Sequence, residues 1–282
     1  MVLLKTTSSP KTMTKDSIAI IGCGNMGSAI AKALLENRIV QPENLVLIEK
    51  NPNQAIKALT EAKSRHYHEI EEYQGIYKKV ILAIKPQDAE TTLKRLAKKT
   101  DHDSLVISVM AGITLKKMVA YLGDIEIIRC MPNTPCQVRQ GMSAYFGSNK
   151  VRQVSFDFVR AILEGMGKAI RLKKEGLIDA VTAISGSGPA YVFYLAEALF
   201  EGAIELGLDE NQALILSKQT LLGAATLLDQ SDIPAGELRK KVTSPGGTTE
   251  AALNHFKDKN LKGNLIEGFK KACRRSFELG DK

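Results

Sequence analysis

The chain has 282 residues, 44% hydrophobic and 25% charged, which suits a globular protein with room for two domains. No apolar run reaches the roughly 18 residues of a membrane span, and the four cysteines and four histidines show no C-x-x-C or metal-ligand spacing, so no metal is expected. The net charge of +8 comes from scattered Lys and Arg, with 5% aromatics and no Trp, so a basic surface that attracts small anions is expected and nucleic acid is not.

Residues 1–16 carry Lys5, Lys11 and Lys15 but no apolar centre of a secretory signal. They read as a disordered tail, and the protein as cytoplasmic. Ser17–Ile21 is a short apolar strand that enters Gly22-Cys-Gly-Asn-Met-Gly27, and helical period follows from Ser28 to Leu35. Further strands are expected at Asn44–Glu49, Lys79–Ile84, Leu105–Met110 and Glu126–Cys130, with helices at Gln87–Lys98 and Thr114–Leu122. His66-x-His68 reads as a solvated edge. Ser143–Phe146 reads as an added edge strand, Val151–Met166 as a covering helix and Lys168–Leu172 as a last strand.

Strands alternating with helices predict an α/β, doubly wound, mostly parallel sheet of Rossmann type over residues 17–172. From Glu175 only helical signals remain, at Ala190–Leu206, Asp209–Leu228 (Asp209 as N-cap), Pro234–Val242, Thr249–Lys257 and Leu261–Leu279. Residues 173–282 therefore read as an all-helical domain for substrate binding and dimerisation. Its Ala- and Leu-rich faces call for a second subunit, against the alternative of a self-sufficient bundle. Ser185-Gly-Ser-Gly-Pro189 breaks one helix and starts another. It serves either close helix packing or backbone approach to a ligand.

Gly22-x-Gly24-x-x-Gly27 between a strand and a helix is a dinucleotide signature. Gly22 permits the tight turn, Gly24 lets a pyrophosphate approach, and Gly27 lets helix and sheet pack, with Cys23, Asn25 and Met26 completing the loop. Glu49 falls where an acid would bind a ribose 2′-hydroxyl, which favours NAD(H). Lys50 and Asn51 follow at once and suit the 2′-phosphate of NADP(H). Ala83-Ile84-Lys85-Pro86 and Ala111-Gly112 lie at the carboxyl ends of later strands, the edge where such sheets collect ligands. A structural, cofactor-side role suits Lys85 better than a catalytic one, because Pro86 forces an extended turn.

Val242-Thr-Ser-Pro-Gly-Gly-Thr-Thr-Glu250 combines hydroxyls, two glycines and a helix start. Its free N–H groups and partial positive charge suit a small carboxylate or phosphate. An ordinary capped loop is the plainer alternative.

Five segments together resemble the pyrroline-5-carboxylate reductase family, in that family's order. They are Gly22–Gly27, Ala83-Ile-Lys-Pro-Gln87, Arg129-Cys-Met-Pro-Asn-Thr-Pro135, Asp179-Ala-Val-Thr-Ala-Ile-Ser-Gly-Ser-Gly-Pro-Ala-Tyr191 and Val242–Thr249. The resemblance runs from about Ser17 to the chain's end. It implies reduction of 1-pyrroline-5-carboxylate to L-proline, the last step of proline synthesis, with NADPH as usual donor and NADH as an alternative. It implies a Rossmann domain and a helical domain that interlocks with a second subunit, so a homodimer or a larger assembly of dimers. By position it implies that Ser244, Gly246, Gly247, Thr248 and Thr249 hold the substrate carboxylate, that Thr249 reaches the ring nitrogen as the catalytic residue, and that Asn133 and Pro135 border the nicotinamide. Lys240-Lys241 stands where the family often has an acid, and Glu49 is less usual for an NADP enzyme.

Two rival readings remain. A hydroxy-acid dehydrogenase of similar layout would place a Lys and an Asn within one helix of the second half; Lys257 and Asn260 come nearest, with Asn260 at an expected helix end. A dinucleotide-sensing or nucleic-acid-binding protein would use the net charge but leave the Ser-Pro-Gly-Gly-Thr-Thr turn unexplained.

Overall fold

A computed structural model describes residues 16–280. The expected tail at residues 1–16 therefore lies outside the described residues except for Asp16. The described residues divide into two compact units, one of residues 16–186 with 272–280 and the other of residues 187–271.

The first unit is built on eight strands: β1 (Ile18–Ile21), β2 (Leu45–Ile48), β3 (Arg65–Tyr67), β4 (Lys79–Leu82), β5 (Leu105–Ser108), β6 (Glu126–Met131), β7 (Gly141–Gly147) and β8 (Gly167–Arg171). Their order in the sheet is β3-β2-β1-β4-β5-β6-β7-β8. Every neighbouring pair is parallel except β6 and β7. The chain builds outward from β1 on one side, then returns to lay β4 on the other, so the strand order reverses between β1 and β4.

Side chains alternate across the strands. Ile18, Ile20, Leu45, Leu47 and Ile81 enter one core, where α1 (Asn25–Glu36) and α5 (Gln153–Glu164) cover the sheet with Ile30, Leu34, Val159 and Ile162. Ala19, Ile21, Val46, Ile48, Val80 and Leu82 enter the other, under α3 (Ala89–Leu96) and α4 (Leu115–Leu122) with Leu93, Leu96 and Met118. Burial on both faces explains why these strands read as continuous apolar runs.

Two features differ from the sequence expectation. The segment expected as an edge strand runs from Gly141 to Gly147 and lies inside the sheet, because β8 pairs with its far side. The short β3, whose residues are only partly buried, extends the opposite edge and carries too few apolar residues to show a pattern. Between β2 and β3 lies α2 (Gln54–Glu61), capped by Asn53.

After β8 the chain forms α6 (Leu177–Val181) and a π-helical turn at Thr182–Gly186. The second unit holds α7 (Gly188–Glu205), α8 (Glu210–Asp229), α9 (Ala235–Lys241), α10 (Thr248–Asp258) and the larger part of α11 (Leu261–Gly280). Asp209 caps α8 in a reciprocal capping box with Gln212. Neither α7 nor α10 has a buried residue, whereas a self-sufficient bundle would bury one stripe of each helix. Phe193 is 61% exposed, Tyr194 75%, Ile215 57% and Leu222 62%.

Candidate active site

The strand-order reversal places the end of β1 beside the end of β4, where open α/β sheets form their ligand crevice. Gly22 leaves β1 at φ +88°, and a Cβ there would stand 2.7 Å from the Ala83 carbonyl oxygen and 2.8 Å from Ile84 Cγ2. The glycine loop thus lies against the end of β4. A Cβ on Gly27 would run into the Gly22 carbonyl oxygen, so helix and loop meet with no room for a side chain. Gly24 is the opposite case: a Cβ there would find nothing within 4 Å. It is the N-cap of α1, makes no side-chain cap and has no acidic residue in the turn that follows.

The end of β2 folds back onto the same loop. Glu49 Oε2 accepts the Cys23 N–H at 2.9 Å and Oε1 accepts the Asn51 N–H at 3.2 Å. Asn53, missed in the sequence, donates from Nδ2 to the Cys23 carbonyl at 3.0 Å while its Oδ1 caps α2. Ser28 Oγ donates to the same carbonyl at 2.8 Å. Its spacing inside a helical run gave no hint of that bond. The Cys23 thiol is buried, and burial, with the Glu49 charge adding to it, pushes it up to about 12. Cys23 therefore offers a ligand no thiolate, and its own N–H and carbonyl are held by Glu49, Asn53 and Ser28. Lys50 Nζ pairs with Glu69 at 3.3 Å.

Lys85 is exposed and caps a short 3₁₀ turn at Pro86–Asp88. Gly112, at φ +74°, faces the end of α11: a Cβ would lie 3.1 Å from Leu279 Cβ. Its missing side chain makes room for that helix. Asn133 is fully engaged, accepting the Met142 N–H at 2.9 Å through Oδ1 and donating from Nδ2 to the Ser185 carbonyl at 3.1 Å. It ties the end of β6 to the π-helical turn, with Pro135 in the 3₁₀ turn Thr134–Val138 beside it. The Ser185–Pro189 stretch does break one helix and open another, with Pro189 in the first turn of α7.

In the second unit, Thr243 Oγ1 bonds the Arg239 carbonyl at 2.7 Å, and Gly246 turns the chain at φ +71° into α10, whose N-cap is Gly247. Ser244 accepts the Gly247 N–H at 3.0 Å through its carbonyl. Glu250 Oε2 accepts the Gly246 N–H at 2.7 Å, so this donor already holds a carboxylate of the chain itself. No side chain caps α10, and the N–H groups of Thr248 and Thr249 stand at an uncapped helix start. Lys257 and Asn260 do not share α10, which ends at Asp258; Asn260 follows at φ +50°.

A sheet whose strand order reverses beside an uncapped glycine turn is the architecture of nicotinamide-dinucleotide oxidoreductases. A family model for NADP oxidoreductase, coenzyme F420-dependent, matches residues 17–112, and one for pyrroline-5-carboxylate reductase dimerisation matches residues 175–279. Pyrroline-5-carboxylate reductase 2 of Bacillus subtilis is 35% identical over 93% of this chain and 94% of its own. The solved pyrroline-5-carboxylate reductase of Coxiella burnetii superposes with a TM-score of 0.85 at 32% identity, covering 94% of this chain and 99% of that one. The Plasmodium falciparum pyrroline carboxylate reductase, solved with NADP bound, reaches the same TM-score at 28% identity, over 95% and 99% of the two chains. The chain belongs to the pyrroline-5-carboxylate reductase family.

Proposed function

We propose that the protein reduces 1-pyrroline-5-carboxylate to L-proline with NADPH, and with NADH as an alternative. The observation that carries this reading is the near full-length match to pyrroline-5-carboxylate reductases, with the dimerisation match over residues 175–279 spanning the glycine turn at the start of α10. The sheet unit suits the nucleotide: open space over Gly24 and an uncapped first turn of α1 leave room for a pyrophosphate. Gly22–Gly27, Glu49–Asn51, Ala83–Pro86, Ala111-Gly112, Asn133 and Pro135 would hold it. When bound, the reduced nicotinamide supplies the hydride that the imine carbon accepts.

A cyclic imine can arrive protonated at nitrogen as an iminium, so the protein needs no strong acid at that atom. Hydroxyls and backbone N–H groups then suffice. Thr248 and Thr249 N–H groups and the Ser244 hydroxyl hold the substrate carboxylate, and Thr249 Oγ1 hydrogen-bonds the ring nitrogen. Holding both partners in line is the main contribution, for which effective molarities reach about 10⁵ M and above.

The working unit is a homodimer built by residues 173–282. The exposed Phe193, Tyr194, Leu195 and Leu222 support this, since burying each such side chain is worth about 1.5–3 kcal/mol. The division at residue 172 is supported by β8 ending at Arg171 and by the dimerisation match beginning at residue 175. Among the described residues no helix is long and apolar enough to cross a membrane. Four free cysteines fit a reducing compartment, the cytoplasm.

The test is a spectrophotometric assay of the imine with each reduced nucleotide in turn, beside oxidation of small hydroxy acids. Imine-dependent oxidation of NADPH is expected. Turnover of hydroxy acids alone would move the protein to the dehydrogenase reading. Light scattering of the purified protein should give twice the chain mass or a multiple of it.

A further inference from the structure

The structure assigns His66 and His68 as positioning residues that set the choice between NADP(H) and NAD(H). This rests on the reading that Glu49–Asn51 receives the nucleotide's ribose. His66 lies within β3 and His68 directly follows its last residue, Tyr67. Their rings meet edge to face, with centroids 4.8 Å apart and planes at 69°.

Each ring grips one carbonyl of the neighbouring loop. His66 Nε2 lies 2.9 Å from the Glu49 carbonyl oxygen, and His68 Nδ1 lies 3.2 Å from that of Lys50. A carbonyl oxygen only accepts, so the chemistry assigns a proton to Nε2 of His66 and to Nδ1 of His68. The clamp is itself anchored: Tyr67 O accepts the Glu49 N–H at 3.0 Å, and Glu72 Oε2 accepts the His68 N–H at 3.1 Å.

The two ends of the loop depend on this clamp unequally. The Glu49 carboxylate has one anchor outside the clamp, the Cys23 N–H; its other anchor, the Asn51 N–H, belongs to the peptide unit whose carbonyl His68 holds. A 2′-hydroxyl that it binds is therefore read from a carboxylate that keeps its bond to the Cys23 N–H when the histidines are lost. Lys50 is placed by its backbone, and its side chain pairs with Glu69, a carboxylate shared with Arg95 at 2.5 Å. Releasing the Lys50 carbonyl moves the charge that a 2′-phosphate would meet. Loss of the clamp thus weakens NADPH more than NADH.

The experiment titrates NADPH and NADH by the fluorescence of the reduced nicotinamide, with no imine present, so it reads binding even if the imine proves not to be the substrate. In the His66→Ala/His68→Ala double variant the NADPH Kd should rise about tenfold while the NADH Kd stays within about threefold. His66→Gln/His68→Asn, which return an N–H donor near Nε2 and Nδ1, should restore the wild-type ratio. A ratio of the two constants unchanged in the alanine variant, with both retained, both weakened or both lost, would overturn the assignment.

Discussion

Arg129, 2% exposed on β6, donates from Nη1 to Oε1 of Glu175 at 3.0 Å. The same oxygen accepts the Leu115 N–H at 2.7 Å, and Asp179 stands 4.0 Å from Arg129 while accepting Ser276 Oγ at 2.7 Å. One buried cation therefore joins the sheet to α4, α6 and the last turns of α11. Arg129 Nε has no partner among the described residues, so the guanidinium depends heavily on Glu175. Glu175→Ala should cost about 2–3 kcal/mol, below the usual cost of breaking a buried pair because Glu175 is partly exposed. Glu175→Gln should cost less, since its amide oxygen still accepts from Leu115. Denaturant unfolding at fixed protein concentration reads this; equal midpoints for all three proteins would contradict it.

Gly24 and Gly27 should separate binding from folding. A Cβ at position 24 meets no protein atom within 4 Å, so Gly24→Val should leave the unfolding free energy within about 1 kcal/mol of wild type. Its side chain fills the space over the first turn of α1, so NADPH affinity should fall more than about tenfold. Gly27→Val drives a side chain into the Gly22 carbonyl and should fail to accumulate as folded protein. Thermal melts with nucleotide titration distinguish the two, and unweakened NADPH binding by Gly24→Val would remove the loop from the site.

Thr249 and Ser244 should divide the kinetics. Thr249→Ala removes a bond to the reacting nitrogen and should lower kcat about tenfold. Ser244→Ala removes a contact to the spectator carboxylate and should mainly raise KM, by about threefold to tenfold. Unaltered kcat and KM in Thr249→Ala would leave that residue without a catalytic part.

The thiols should be slow. Cys23, Cys130 and Cys136 are buried, and burial raises all three above the ordinary thiol range, Cys23 to about 12. At pH 8 the Cys23 thiolate fraction is negligible, and the upward shift of Cys130 and Cys136 makes thiolate scarcer at both than at an exposed thiol. No more than one thiol per chain, the partly exposed Cys273, should react with an aromatic disulfide reagent before denaturation, and all four afterwards. Rapid labelling of two or more native thiols would show that this part of the loop and core opens readily.

The strands around β1 were legible because burial on both faces writes them as unbroken apolar runs, Ile18–Ile21 and Leu45–Ile48 being the clearest. The β3 strand was not, because an edge strand of three partly buried residues needs no apolar pattern. The same obscurity hid His66 and His68, which read as a solvated edge until their distance to the Glu49 and Lys50 carbonyls was known. Glu250 was visible as a helix residue, but its bond to the Gly246 N–H depends on how the turn folds back on itself.

Local order decided much: Gly22, Gly24 and Gly27, the capping Asp209 and the glycine turn at Gly246 each state a backbone need that neighbours in sequence can meet. Pairing across distance was beyond it. Which strand flanks β1, that β7 lies inside the sheet, and that Arg129 draws together Glu175 and Asp179 all follow from hydrogen-bond registers and buried charge, which exist only once remote segments have been packed side by side.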